Sequence, residues 1–222
     1  MLLYYITART EFAGDAAGQR RCLLKKIADA AHCGVDYIQL RENDLTGGAL
    51  QSLAQEAVHT VRENCRKTAA GELCTRLLIN SRTDVALSVG ADGVHLRAQD
   101  VSVRELQKIW STGKSASRGK PAVFPAVSVS CHSDADVARA AAEHADLAVL
   151  APVFEKRALP AVAPAGLEAL RRACRYNVPV LALGGVTLET IPACLNSGAA
   201  GIAAIRLFQE NDIEKVVLRL RA

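Results

Sequence analysis

Pro179-Val-Leu-Ala-Leu-Gly-Gly-Val186 carries the plan of the whole chain. Pro179–Leu183 is a short apolar run without polar alternation, which reads as a strand buried on both faces. Gly184 and Gly185 turn the chain, and Leu188–Asn196 reads as a helix. Towards the C-terminus the same unit recurs as Gly201–Ile205 followed by Asp212–Leu220. Towards the N-terminus it recurs six times: Leu2–Ile6 with Ala17–Cys33, Asp36–Leu40 with Gly47–Lys67, and Arg76–Ile79 with Thr83–Val89. The others are Gly93–Leu96 with Val101–Trp110, Ala122–Val129 with Ser133–Glu143, and Leu147–Leu150 with Gly166–Tyr176. In Gly47–Lys67 the residues Leu50, Leu53, Ala54, Ala57 and Val61 share one helical face.

Eight strand–helix units predict an α/β chain folded as a single (β/α)8 TIM barrel, one domain over residues 1–222. A doubly wound open sheet is the alternative. Ser111–Lys120 precedes a strand, which puts it on the amino-terminal face. Glu155–Pro164 follows a strand and falls on the catalytic face.

Composition narrows the function. Of 222 residues, 50% are hydrophobic, which is too apolar for a disordered chain. No apolar run approaches the roughly 20 residues that span a bilayer, so no membrane partner is expected. Met1–Thr7 has no preceding basic region and reads as a strand, not a signal peptide. The net charge is only +4 and aromatics make up 4%, which gives nucleic acid neither a basic stripe nor a stacking platform. The seven cysteines are odd in number and form no C-x-x-C pair, so they read as reduced thiols of a cytoplasmic protein. No cysteine pair has zinc spacing with a nearby His. A homo-oligomer is compatible with the sequence.

Barrel chemistry sits where strands run into helices. The polar residues there are Gln39, Arg41, Glu42 and Asn43; Asn80, Ser81 and Arg82; His95, Arg97, Gln99 and Asp100. Next come Ser128, Ser130 and His132; Glu155, Lys156 and Arg157; Gly184 and Gly185; and Arg206. Cations, amides and hydroxyls with few unpaired acids suit a small phosphorylated substrate. Gly184-Gly185, opening a helix from Thr187, predicts backbone N–H groups and a helix dipole facing a phosphate. His95 reads either as a satisfied core histidine or as a site residue. Asp84 and Asp92 read as helix-start and turn residues, Asp44 as a cap for the segment entering Gly47, and His32, His59 and His144 as surface. Cys131 and His132 are sequence neighbours on a strand, so their side chains point apart and do not form a nucleophile–base pair.

At this point the residues acquire a pattern. Tyr5-Ile-Thr7, Ile38-Gln-Leu-Arg-Glu42, Asn80-x-Arg-x-Asp-Val-Ala86 and Ala91-Asp-Gly-Val-His-Leu96 come in order. Ser128-Val-Ser-Cys-His132, Pro152-Val-Phe154, Pro179–Val186 and Gly198-Ala-x-Gly-Ile-Ala203 follow. With these the chain resembles the thiamine phosphate synthase/TenI family of barrels, nearly end to end. The resemblance implies coupling of hydroxymethylpyrimidine diphosphate to a thiazole phosphate: diphosphate leaves, and the thiazole nitrogen traps the pyrimidine cation. By that pattern Gln39 and Arg41 contact the pyrimidine diphosphate, Asn80 orients it, Asp100 binds Mg2+ and Ser130 touches diphosphate. The Gly185 amide, beside Gly184, and the Ile205–Arg206 backbone hold the thiazole phosphate.

Several positions depart from the pattern. Arg41-Glu42-Asn43 replaces Arg-Glu-Lys, Asn80-Ser81-Arg82 replaces Asn-Asp-Arg, and Arg97-Ala98 replaces Gly-Gln. Glu155-Lys156-Arg157 replaces a Thr-x-Thr-Lys loop, and Arg206 replaces a small Ser. One diphosphate cation and one of two Mg2+ carboxylates are therefore lost; Asp100 alone can still suffice for Mg2+, and Arg97, Lys156 and Arg157 offer replacement positive charge. The TenI branch, a metal-independent thiazole tautomerase, also resembles the chain. It too lacks the Asp after the third-strand Asn and carries Val-Phe-Glu as Val153–Glu155 does, with a His like His132 as acid/base. A barrel that binds thiazole phosphate without turning it over is the third alternative. The retained Gln39, Arg41, Asn80, Asp100 and Ser130 favour the synthase.

Overall fold

Apolar runs that cannot face water on either side become the parallel strands of the structure, a computed structural model describing residues 1–66, 74–114, 124–155 and 163–221. The strands are β1 Leu2–Ile6, β2 Tyr37–Leu40, β3 Arg76–Asn80, β4 Gly93–Leu96, β5 Ala126–Cys131, β6 Leu147–Leu150, β7 Val180–Ala182 and β8 Gly201–Ala204. They pair in sequence order as a closed barrel. The register runs Ile6 to Gln39 between β1 and β2, Gln39 to Leu78 between β2 and β3, and Ser130 to Val149 between β5 and β6. Every residue of β4, β6, β7 and β8 is buried, as the uninterrupted apolar runs require. The (β/α)8 fold class is thus the observed one.

The helices are α1 Ala16–Cys33, α2 Gly47–Asn64, α3 Thr83–Val89, α4 Val103–Lys114, α5 Asp134–Ala142, α6 Gly166–Ala173, α7 Ile191–Asn196, α8 Arg206–Gln209 and α9 Ile213–Arg221. Leu50, Leu53, Ala54, Ala57 and Val61 of α2 are buried together, as their spacing predicted. Four sequence expectations change. The fourth helix runs to Lys114 and not to Trp110, so the expected Ser111–Lys120 loop begins as helix and its remainder lies outside the described residues. The helix after β7 starts at Ile191 and has six residues, with the turn from Thr187 preceding it. A four-residue helix, α8, follows β8 directly with Ile205 as its N-cap. Asp44 does not cap α2; Thr46 does, its Oγ1 accepting from the Ala49 N–H at 3.4 Å.

A repeated device pins the amino ends of the strands. Asp36, Asp92 and Asp146 each stand one residue before β2, β4 and β6. Their carboxylates accept the N–H of Leu3, Leu77 and Val127 at 2.7, 2.8 and 2.7 Å, one strand earlier each time. Each follows a residue in left-handed conformation by two positions: Gly34, Gly90 and His144. Before β8 the same slot reads Gly198-Ala-Ala200, and backbone replaces carboxylate: the Leu2 N–H donates to the Ala200 carbonyl at 2.9 Å. Here the approach is so close that a Cβ on Gly201 would lie 2.0 Å from the Leu2 carbonyl oxygen, so no larger residue fits. These contacts at the amino ends of the strands serve stability, leaving the other ends to chemistry.

The chain divides into two compact units, one made of Leu3–Gly93 with Ile205–Ala222 and one of Met1–Leu2 with Val94–Ala204. Each brings its own set of polar groups to its strand ends.

Candidate active site

In the first unit an amide pair occupies the ends of β2 and β3. Gln39 is 1% exposed, and its Nε2 donates to Asn80 Oδ1 at 2.9 Å. Asn80 Nδ2 in turn reaches Asn43 Oδ1 and Ser81 Oγ, each at 3.4 Å. Gln39 Oε1 is buried and has no hydrogen-bond partner among the described residues. A buried amide oxygen lacking a donor costs about 1–3 kcal/mol, a deficit that a ligand N–H would remove. Ser81 adopts φ 61°, a conformation that short polar residues tolerate best.

Arg41 follows on the surface side, and its backbone N–H donates to Thr7 Oγ1 at 3.0 Å. Among the described residues no acceptor pairs with its guanidinium. Thr7 donates to Glu42 Oε1 at 2.6 Å, and Glu42 also accepts the Arg9 N–H at 2.9 Å. Glu42 is nearly inaccessible, and burial pushes its carboxyl above the usual range, only partly offset by the Thr7 and Arg9 hydrogen bonds. The Arg9 guanidinium lies 3.8 Å from Glu42 and pairs with Asp44. This carboxylate therefore fixes the ends of β1 and β2 and is not displayed to a substrate.

Helix α8 is moored in the same way. Gln209 Nε2 donates to the Ala8 carbonyl at 2.7 Å, and its Oε1 accepts from Ala8 N–H at 3.2 Å and Tyr5 O–H at 3.1 Å. Burial, helped by Glu42 and Glu11, raises the Tyr5 hydroxyl pKa, so Tyr5 is a permanent donor here. Ile205 and Arg206, expected to hold phosphate through their backbone, stand at the start of α8. The Arg206 side chain instead lies 3.8 Å from Glu11 and 3.7 Å from Glu210, which offset its charge.

In the second unit His95 resolves the two readings of its sequence context. It is buried on β4, yet it is bonded to two hydroxyls at the strand ends: Nδ1 with Ser128 Oγ at 3.0 Å and Nε2 with Ser130 Oγ at 2.9 Å. A neutral imidazole donates from one nitrogen and accepts at the other, so it relays hydrogen-bond polarity from the fully buried Ser128 to Ser130. Ser130 thereby keeps a fixed orientation.

His132, at the end of β5, is exposed, with Nδ1 on the Ala151 carbonyl at 2.8 Å. A carbonyl only accepts, so Nδ1 carries the proton and Nε2 of the neutral ring is an acceptor. The backbone N–H of His132 donates to Asp136 Oδ2 at 3.0 Å, and Ser133 completes a capping box with Asp136 at the start of α5. Burial opposes ionisation of Asp136, but the His132 and Ser133 donors and Arg139 hold its pKa below the usual carboxylate range. Burial pushes the neighbouring Cys131 thiol up to about 12, which removes it as a nucleophile, as its strand position implied.

The two glycines after β7 have a packing reason as well as the expected binding one. Gly185 has φ +65°, and a Cβ there would lie 2.7 Å from both the Glu155 carbonyl oxygen and Phe154 Cβ. The segment they turn pairs with the strand-six loop through Phe154 N–H to the Gly184 carbonyl at 3.0 Å. The expected dipole of a helix opening at Thr187 is corrected, because α7 begins at Ile191 and is too short to add one at Gly185. Lys156 and Arg157 lie outside the described residues.

The Mg2+ implied by the family resemblance can be tested against this donor set. Asp100, the expected ligand, accepts the Arg97 N–H at 2.8 Å through one oxygen and its guanidinium at 3.2 Å through the other. Ser81 offers a neutral hydroxyl where the pattern has a second carboxylate, and Asp84 is held by Arg82 at 2.8 Å. Among the described residues no three His, Cys, Asp or Glu side chains converge. One carboxylate already neutralised by a guanidinium is a poor fit to a hard dication that favours carboxylate oxygens.

Arg9 and Gln209 were not singled out by sequence reasoning, and Thr7 entered only within the Tyr5-Ile-Thr7 motif, without a role; all three act through partners at least ten residues away. A closed parallel barrel with amides, hydroxyls, imidazoles and guanidinium groups at its strand ends defines the class: a (β/α)8-barrel enzyme. The thiamine monophosphate synthase family matches residues 3–208. A relative from Aquifex aeolicus is 36% identical over 209 residues, 94% of this chain and 97% of that one. The thiamine-phosphate synthase of Methanoculleus marisnigri is 34% identical, covering 99% of this chain and 93% of its own. A solved thiamine phosphate pyrophosphorylase from Pyrococcus furiosus superposes with a TM-score of 0.76 at 24% identity, over 99% of this chain and 93% of that one. The chain belongs to the thiamine monophosphate synthase family, a family of transferases in thiamine biosynthesis.

Proposed function

We propose that the chain, acting as one domain over residues 1–222, couples hydroxymethylpyrimidine diphosphate to a thiazole phosphate and releases diphosphate. The observation that carries this reading is Gln39. Its Nε2 is committed to Asn80 and its buried Oε1 lacks a donor, so it is preset to accept from an amino group such as the one on the pyrimidine. Arg41, exposed and without an acceptor among the described residues, stands two positions away and suits the diphosphate.

The bond between the pyrimidine methylene carbon and the diphosphate oxygen breaks, and its electron pair leaves with diphosphate. The thiazole nitrogen then donates its lone pair to that carbon. What the residues supply is stabilisation of charge developing on the leaving group. By the family resemblance Arg41 and the Ser130 hydroxyl serve diphosphate, with Arg97 and Lys156 as replacement cations by sequence. Gly184, Gly185 and the Ile205–Arg206 backbone serve the thiazole phosphate. We read the partners as small phosphorylated molecules, not nucleic acid, and the compartment as the cytoplasm; no described helix is long and apolar enough to cross a membrane.

Replacing Gln39 with Leu tests the reading. The expected outcome is a KM for the pyrimidine diphosphate raised roughly tenfold or more, with the KM for thiazole phosphate within about twofold, because one bidentate-capable amide is lost. Equal effects on both substrates would sink the assignment.

One observation favours the TenI-like tautomerase instead. His132 has the protonated Nδ1 fixed on Ala151 and presents Nε2 as a base, the arrangement a metal-independent proton shift on the thiazole carboxylate phosphate requires. Ser81 and Glu155 are shared with that branch by resemblance. The synthase reading is preferred because a tautomerase leaves Gln39 Oε1 without an explanation.

A further inference from the structure

Where the family pattern places a carboxylate pair for Mg2+, this chain places a guanidinium and a single carboxylate bound to each other. We propose that Arg97 takes the place of the metal: its guanidinium, braced by Asp100, is the cation that holds the diphosphate group, and diphosphate binding to this chain does not depend on Mg2+. The inference rests on the synthase reading and adds to it.

Three observations support it. First, Asp100 is used as a brace. Its Oδ2 accepts the Arg97 backbone N–H at 2.8 Å, closing a turn straight after β4, and its Oδ1 accepts one guanidinium N–H at 3.2 Å. Both oxygens are therefore engaged by one residue three positions away, and the carboxylate side chain is only 12% exposed against 59% for Arg97. The cation is open to solvent and the acid largely is not.

Second, the charge sums differ from a metal site. A guanidinium of +1 against one carboxylate leaves no net negative potential to retain a dication. A Mg2+ on Asp100 would also sit beside Arg97, and like charges that close repel. Ser81 supplies no second anion, and Asp84 is spent on Arg82.

Third, the arginine suits the substitution chemically. It has five N–H donors in a planar fork, of which Asp100 takes one, and the fork matches two phosphate oxygens at once. Arg97 also follows His95 by two residues, and His95 fixes Ser130, the hydroxyl expected at diphosphate, at 2.9 Å. Strand β4 and the turn that follows it thus deliver the relay, the cation and the brace from one short segment.

The test is the binding of inorganic diphosphate measured by calorimetry, in EDTA and in Mg2+, for the full chain and two variants. The wild-type chain should bind diphosphate in EDTA, and no more tightly in Mg2+. Arg97→Ala should weaken binding in EDTA by roughly ten- to a hundredfold, the loss of a charge-assisted pair. In that variant Asp100 Oδ1 loses the guanidinium and its positive charge, so Mg2+ should recover a measurable part of the affinity. Arg97→Lys, which keeps the charge and any folding role of the turn, should bind in EDTA within about tenfold of wild type and remain indifferent to Mg2+. A wild-type chain that binds diphosphate only with Mg2+ overturns the inference while leaving the synthase reading intact. Unchanged binding on Arg97→Ala in EDTA overturns it also. Absence of binding in both media overturns it together with the synthase reading.

Discussion

Glu42 follows β2 in one unit and Asp136 lies in the first turn of α5 in the other, and they receive the same kinds of donor: a backbone N–H and a Thr or Ser hydroxyl. Their pKa values nevertheless shift in opposite directions, up for Glu42 and down for Asp136. Burial opposes the charge in both, but it wins only at Glu42, which is nearly out of contact with water. Asp136 keeps some exposure and adds a third donor from an adjacent residue, with Arg139 beside it at 2.9 Å. The contrast extends to the surrounding groups. In the first unit Gln39 meets Asn80, Thr7 meets Glu42 and Ala8 meets Gln209, contacts spanning 41, 35 and 201 residues. In the second, Arg97 meets Asp100 and Ser133 meets Asp136 three residues apart. One side is a buried frame assembled only by folding; the other, apart from His95, is largely a series of local turns that set their own geometry.

Removing Glu42 should be the more damaging change. Glu42→Ala leaves the buried Thr7 hydroxyl and Arg9 N–H without their acceptor, while the Arg9 guanidinium keeps Asp44, and each buried donor left unsatisfied costs about 1–3 kcal/mol. Denaturant unfolding should show that loss; a change within about 0.5 kcal/mol would mean the network is not the frame described. The raised pKa gives a sign as well. A carboxyl whose folded pKa lies above its unfolded value is penalised once ionised, so Glu42 reduces wild-type stability as pH rises from 4.5 through its folded value.

Asp136→Asn should cost less, about 1 kcal/mol, the usual worth of a helix cap. Its pH dependence should run the other way. With its folded pKa depressed below 3.8, Asp136 contributes stability that is fully present above that pH and lost as pH falls through the folded value. The gap between wild type and Asp136→Asn should therefore be constant near neutrality and shrink under acid. A gap that widened on acidification would show that the two carboxylates are not opposites.

The same division explains what the sequence made legible. Eight apolar runs with intervening helical segments were enough for the barrel, because strands buried on both faces leave unbroken apolar stretches. Gln39, Asn80 and Ser130 could be placed at strand ends for the same reason. The turn of Arg97 with Asp100 is local, but its consequence for a metal was not visible, because a sequence does not say whether a carboxylate faces a ligand or its own neighbour. Arg9 and Gln209 were missed because their partners come from distant strands. Helix α8 was missed because four residues are too few to show a period. A signal for the strand staples was present and unread: a Gly or His, then a small apolar residue, then Asp before β2, β4 and β6.

The central claim is that the barrel joins two phosphorylated substrates, and product analysis tests it most directly. The chain is incubated with hydroxymethylpyrimidine diphosphate and thiazole phosphate, and separately with thiazole carboxylate phosphate alone. The account predicts thiamine phosphate and diphosphate in equal amounts from the first mixture. Isomerisation of the lone thiazole carboxylate phosphate, with no coupled product from the pair, would contradict it.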